Sequence, residues 1–422
     1  MPDALRPYLD LALLTRRFKP VLFVLAVINI FLLIGMRHFL TYFRNLTDWN
    51  SAPPIKNLYT QVNLATENVI ASWYSSMLLL LASLMAGLCF GVDRASGRKK
   101  LAGGWLIVSA LFLLLSFDEM GSLHERIGML SFLNSSGEGA LGWVTVLAIP
   151  IAVVTIYLAA FGWKRMRAVP HALLLFGMSL ALLAANPLME LMEMQHLLEE
   201  SESSLRAHDR WILAEEGAEL FGFMLFSLSM TLYISSLNRA SGGLRLVIPS
   251  PVLRLIGIML SLGAVVTLFA AGLVNTYMAE GDIGQPANWP PSFLAGLNAI
   301  VLIVFSFTRG GKHRALLMSA AVLCGLVSAY HGACMKFWLA AFLPELNLTL
   351  TAVAVVLAMP FLARARWPIR IGLGAAILAF ALGLWANPYH GSYLDVFSQG
   401  LLLITMLECA DKYRSKSRVR VQ

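Results

Sequence analysis

The sequence predicts an all-α, polytopic integral membrane protein of about twelve transmembrane helices, and three observations carry that expectation. Of 422 residues, 58% are hydrophobic and only 13% are charged, against about a quarter charged in soluble domains. Mean hydropathy is +0.71. The charged residues collect between long apolar runs, the pattern of a chain whose solvent is lipid, and Lys and Arg crowd every second connection between those runs.

In chain order the apolar runs fall near 20–37, 68–91, 102–121, 141–162, 171–190 and 212–237, then 252–275, 291–308, 315–342, 347–363, 371–387 and 392–409. Most approach the roughly 20 residues that a helix needs to cross a bilayer core at about 1.5 Å per residue. Arg6, Arg16, Arg17 and Lys19 precede the first run in the manner of a secretory signal. No small-residue cleavage site follows, so the run is read as a retained span. With the N-terminus inside, 25 of the 32 basic residues fall on the cytoplasmic side. The outer side holds Arg37, Arg44, Lys56, Arg126, Arg206, Arg210 and Lys336. This alternation follows the positive-inside rule and places both chain ends in the cytoplasm. The setting suits a bacterial inner membrane, although Asn45-Leu46-Thr47 and Asn347-Leu348-Thr349 on the outer side are also glycosylation sequons.

Ala185-Asn186-Pro187 ends the fifth run and Ala386-Asn387-Pro388 ends the eleventh. Their matching places predict a 6+6 parallel internal repeat about an axis along the membrane normal. The halves are 1–238, carrying an acidic and histidine-rich cluster, and 239–422, a divergent copy. A proline inside each helix removes one backbone hydrogen bond.

Composition also excludes several classes. A net charge of +8 is spread over many short connections and forms no single basic stripe, which argues against a nucleic-acid partner. The four cysteines, Cys89, Cys324, Cys334 and Cys409, lie within or at the ends of apolar runs without a CxxC spacing, so neither a disulfide framework nor a thiolate metal site is expected. No phosphate-binding loop, nucleophile elbow or His-Glu-x-x-His motif occurs.

The chemistry-bearing residues are placed unevenly. Asp118-Glu119 and His124-Glu125 close the third run; Glu190, Glu193 and His196 close the fifth; Glu215, Glu216 and Glu219 open the sixth; Glu67 opens the second. Under the predicted topology all lie in the extracytoplasmic half. Asn186, Glu190 and Glu193 share a helix face. Glu193 and His196 form a Glu-x-x-His pair, the spacing with which bundle helices present a carboxylate and an imidazole to one metal. Charge at membrane depth is costly, and clustered carboxylates repel unless protonated, paired or bound to a cation. Oxygen donors with imidazole suit a divalent iron, zinc or manganese ion.

The leading expectation is therefore a metal-dependent, membrane-embedded enzyme acting on a lipid or small molecule. Asp118, Glu119, Glu125, Glu190 and Glu216 would be its acid, base or ligand carboxylates. His124, Glu193, His196 and Glu219 would hold the metal, and residues 38–67 would cap the site. The plainer reading makes Glu199, Glu200 and Glu202 a solvated loop, and Glu215 and Glu216 acids favoured at a helix start. His331 and His390 read as interior and interfacial histidines. Two rivals remain: a proton- or cation-coupled secondary transporter, and a non-catalytic subunit whose acidic face docks a partner. Polar groups in the cytoplasmic half of the runs look nearly absent, which counts against a transport pathway.

Overall fold

In a computed structural model, residues 8–44, 63–64, 69–121, 139–198, 202–242, 245–247 and 295–300 are described, with isolated positions from 302 to 328. The chain divides into two compact units, residues 11–244 and residues 1–10 with 245–422. The second unit is described only at its edges and near 295–328, where residues 295–300 of the eighth run are helical and isolated positions of the ninth are described. The seventh, tenth, eleventh and twelfth predicted runs, the second Asn-Pro and His331, Lys336, His390 and Asp395 lie outside the described residues. A short antiparallel pair, β1 (Tyr8–Asp10) and β2 (Arg245–Val247), sets Asp10 opposite Arg245. Periodicity gave no sign of these strands, each three residues long.

Among its described residues the first unit contains six helices, one for each of the first six runs: α1 (Leu11–Arg44), α2 (Ile70–Ala95), α3 (Gly104–Gly121), α4 (Gly139–Met166), α5 (Pro170–Leu198) and α6 (Glu202–Ala240). Five of them are long and apolar enough to cross a membrane. The protein is thus a helical, multi-pass membrane protein. The sixth, α3, has 18 residues and reaches about 27 Å. Large side chains facing outward, including Phe23 and Phe31 on α1, Ile149 and Ile156 on α4 and Leu174 on α5, are what lipid contact requires. The prolines at 20, 150 and 187 all sit inside continuous helices.

Packing is set by small and hydroxylated residues, which let helix backbones approach closely in a solvent that offers no hydrophobic drive. On α2 and α3, Ser76 pairs with Ser116 (Oγ to Oγ 3.0 Å) and Ser83 with Ser109 (3.2 Å), and each pair also exchanges bonds with backbone carbonyls. The serines are seven residues apart on both helices, so one antiparallel register satisfies both pairs. On α5 and α6, the Ser179 hydroxyl donates to the Gly222 carbonyl and the Ser229 hydroxyl to that of Ala172, again with a spacing of seven. At the start of α3, a Cβ on Gly104 would collide with the Phe161 ring of α4.

Along the bundle axis the interior has three levels. At the basic end, the fully buried Asp93 carboxylate of α2 is gripped by three other helices. Tyr233 of α6 donates to Oδ1 at 2.6 Å; Trp105 of α3 donates to Oδ2 at 2.7 Å; Arg165 of α4 donates to Oδ2 through Nε at 2.5 Å and forms an ion pair through Nη2. The remaining Arg165 donors reach the Arg98 and Lys100 carbonyls of the α2–α3 loop, at 2.8 and 3.2 Å. That loop turns at Gly97 (φ +79°) and holds Leu101 at φ +66°, a conformation costly for a residue with a Cβ. At the middle level the Phe112, Phe226 and Phe176 rings meet edge-on, with centroids 4.7 and 4.8 Å apart. Toward the acidic end, the Tyr74 hydroxyl donates to Asn29 Oδ1 at 2.7 Å, and Asn29 Nδ2 donates to the Leu220 carbonyl at 3.1 Å, binding α1, α2 and α6 together.

The Asp93 network corrects one expectation, since the basic half of the runs is not devoid of buried polar groups. Its members looked ordinary in sequence: an acid beside a basic loop, an arginine among loop cations, and two aromatics.

Removing one partner of a buried ion pair strands the other charge, at a cost of about 3–5 kcal/mol. Asp93→Asn and Arg165→Gln should each lower the thermal unfolding midpoint of the detergent-solubilised protein markedly. The double variant should lose far less than the sum of the two, and additive losses would refute the pairing. Gly104→Ala should cost about 1–3 kcal/mol through overpacking, part of which Phe161→Leu restores.

Candidate functional site

The acidic end is assembled by three helix contacts. The Ser76–Ser116 pair brings the end of α3, with Asp118 and Glu119 one turn beyond, beside the start of α2. The Tyr74–Asn29–Leu220 chain brings that level to α6 beside Glu219. Asn186 then joins α5 to α6, its Nδ2 donating to Glu219 Oε1 at 2.6 Å. Asp118, Glu119, Glu190, Glu215, Glu216 and Glu219 therefore gather at one end of the six helices. All six are half-buried, and every one of them has an interaction partner.

The Asn186–Glu219 bond is the best-defined polar contact among these groups. The Asn186 carbonyl oxygen, Oδ1, is buried and finds no donor. One turn further along α5 lies Glu190, and Glu216 precedes Glu219 by one turn on α6. The arrangement is rich in oxygen acceptors, and an unmet buried acceptor is costly.

Among the described residues, no group of three or more His, Cys, Asp or Glu side chains is placed to hold a metal ion. Two of the four predicted ligands, Glu193 and His196, lie in the last turns of α5, and their side chains are outside the described set. His124 and Glu125 are outside it as well, as is Glu67.

A family described as a domain of unknown function, DUF8692, matches residues 20–234, about half of the chain and nearly all of the six-helix unit. The chain belongs to this family. No match was found among curated proteins or among solved structures. The DUF8692 match runs from the first turns of α1 to the last turns of α6, so it takes in both the Asp93 network and the acidic end.

Within the DUF8692 unit, the residue that sequence reasoning undervalued is Asn186, placed on the face of Glu190 and Glu193 but given no role in the site. Its spacing of four from Glu190 joins it to the acidic stripe by position, but spacing does not show that its amide reaches α6. Its partner Glu219 was singled out, but for a metal rather than for an amide.

Asn186→Leu removes the donor to a carboxylate and should destabilise the solubilised protein by about 1.5–3 kcal/mol. Glu219→Gln preserves an acceptor for Nδ2 and should cost distinctly less. Equal losses by thermal unfolding would mean that the bond does not carry the contact.

Proposed function

We propose that the acidic end of the six-helix unit is the working site of a membrane-embedded, metal-dependent enzyme. It would act on a lipid or small molecule reaching it from the extracytoplasmic side. The observation that supports this reading best is the Asn186–Glu219 pair with its unmet Asn186 oxygen, set among half-buried carboxylates. An unmet buried oxygen beside a carboxylate, in a setting that penalises charge, is a position that a cation can satisfy.

In this reading Glu219 and Glu193 supply carboxylate oxygens and His196 an imidazole, with His124 completing the set from the segment after α3. Asp118, Glu119, Glu125, Glu190 and Glu216 serve as acid, base or additional ligands. A divalent ion so held would polarise a carbonyl or phosphoryl oxygen, or activate water. The finer architecture belongs to the same proposal: twelve spans in a 6+6 parallel repeat, both ends cytoplasmic, in a bacterial inner membrane. The crowding of Arg94, Arg98, Lys99, Lys100, Lys164 and Arg167 at the end opposite the acids supports that orientation.

Metal analysis of the purified protein tests the reading. A transition metal near one per chain is expected in the wild type, lost in both His196→Ala and Glu219→Ala while folding is retained. A folded wild-type protein that binds no metal after incubation with iron, zinc or manganese would sink it.

A further inference from the structure

We propose that the basic end of the six-helix unit carries a binding site for the headgroup of an anionic glycerophospholipid, formed by the α2–α3 loop and the end of α4. The level of the membrane surface can be read from α4. Ile149, Val153, Ile156, Ala160 and Trp163 are all exposed, and their spacings of three and four residues put them on one face. Arg167 follows on the same face and is exposed too. An apolar stripe that passes into tryptophan and then arginine marks the passage from acyl chains to headgroups.

Arg165 lies between those two residues and reaches across to the α2–α3 loop, donating to the Arg98 and Lys100 carbonyls. This fixes the loop at the same depth. Arg98, Lys99 and Lys100 on the loop, Lys164 on α4 and Arg167 just after its end are exposed, and among the described residues none of them is paired with a carboxylate. The acid that could neutralise them, Asp93, is fully buried and saturated by Arg165, Trp105 and Tyr233. Among the described residues these five cations thus have no paired carboxylate, and two exposed apolar side chains, Leu101 and Trp163, are available for acyl chains. Leu101 is held at φ +66° by a loop whose neighbouring carbonyls are tied to Arg165. Basic groups clustered between helices at the membrane surface recognise acidic lipid headgroups. The site is independent of any chemistry at the acidic end.

The test uses full-length protein in bilayers of mixed phosphatidylcholine and phosphatidylglycerol, with the co-purifying lipid identified by native mass spectrometry. Phosphatidylglycerol should be retained preferentially. Combined Lys99→Gln, Lys100→Gln and Lys164→Gln should lower that preference at least fivefold, since each cation near an anionic surface contributes about 1 kcal/mol. Combined Arg16→Gln, Lys19→Gln and Arg239→Gln, which removes the same charge elsewhere on that end, should leave the preference intact. Equal loss in both variants, or no preference in the wild type, would overturn the proposal. Displacement of the lipid by millimolar inorganic phosphate would overturn it as well, by showing a site for free anions.

Discussion

A single carboxylate, Asp93, decides how the six helices close at one end. A buried charge in a bilayer protein is tolerable only if its lone pairs are met by well-placed donors, and here the donors come from three helices other than its own. Arg165, Trp105 and Tyr233 must all arrive for the charge to be satisfied, so α2, α3, α4 and α6 are fixed jointly. Arg165 has donors to spare, and these hold the α2–α3 loop, where Leu101 is kept in a left-handed conformation. The loop geometry, the position of α4 and the depth of the basic cluster all follow from how that carboxylate is neutralised.

The opposite end is built differently. There the clearest contact joins an amide to a glutamate, Asn186 to Glu219. One end of the unit is thus electrostatically complete in its interior and cationic at its rim. The other keeps half-buried acids and an unmet carbonyl oxygen. Between them the Phe112, Phe226 and Phe176 rings form an aromatic level, flanked by the part-buried Ser109 and the buried serines Ser179 and Ser227.

How much of this was legible in the sequence differs by feature. The six helices were, because lipid demands long uninterrupted apolar runs and the basic connections punctuate them. The helices extend past the apolar runs at most ends: α1 and α6 continue by about two turns into polar sequence, where hydropathy alone has no signal. The gathering of Asp118, Glu119, Glu190, Glu216 and Glu219 at one end was also legible, since each helix direction follows from the alternation of loops. Partner choice was not. Nothing in the spacing says that Glu219 meets Asn186, or that Asp93 meets an arginine 72 residues away, because such pairings depend on which helices pack side by side. The two hydroxyl ladders had a periodic signature in the sevenfold spacing of the serines, but serine is common in membrane helices and recurs at that interval by accident.

Those ladders also have a mechanical meaning. Ser76 and Ser83 face Ser116 and Ser109 in one antiparallel register, and a slide by a single helical turn would set each hydroxyl against leucine or another apolar side chain and break both pairs together. The α2–α3 hairpin therefore resists piston-like travel along its axis, and the serine bonds of α5 and α6 impose the same restriction on that pair. Each hairpin behaves as a stiff blade whose members are locked in depth. Any working motion of this unit is confined to tilting or parting of one blade from another, about the polar clamps that join them at either end.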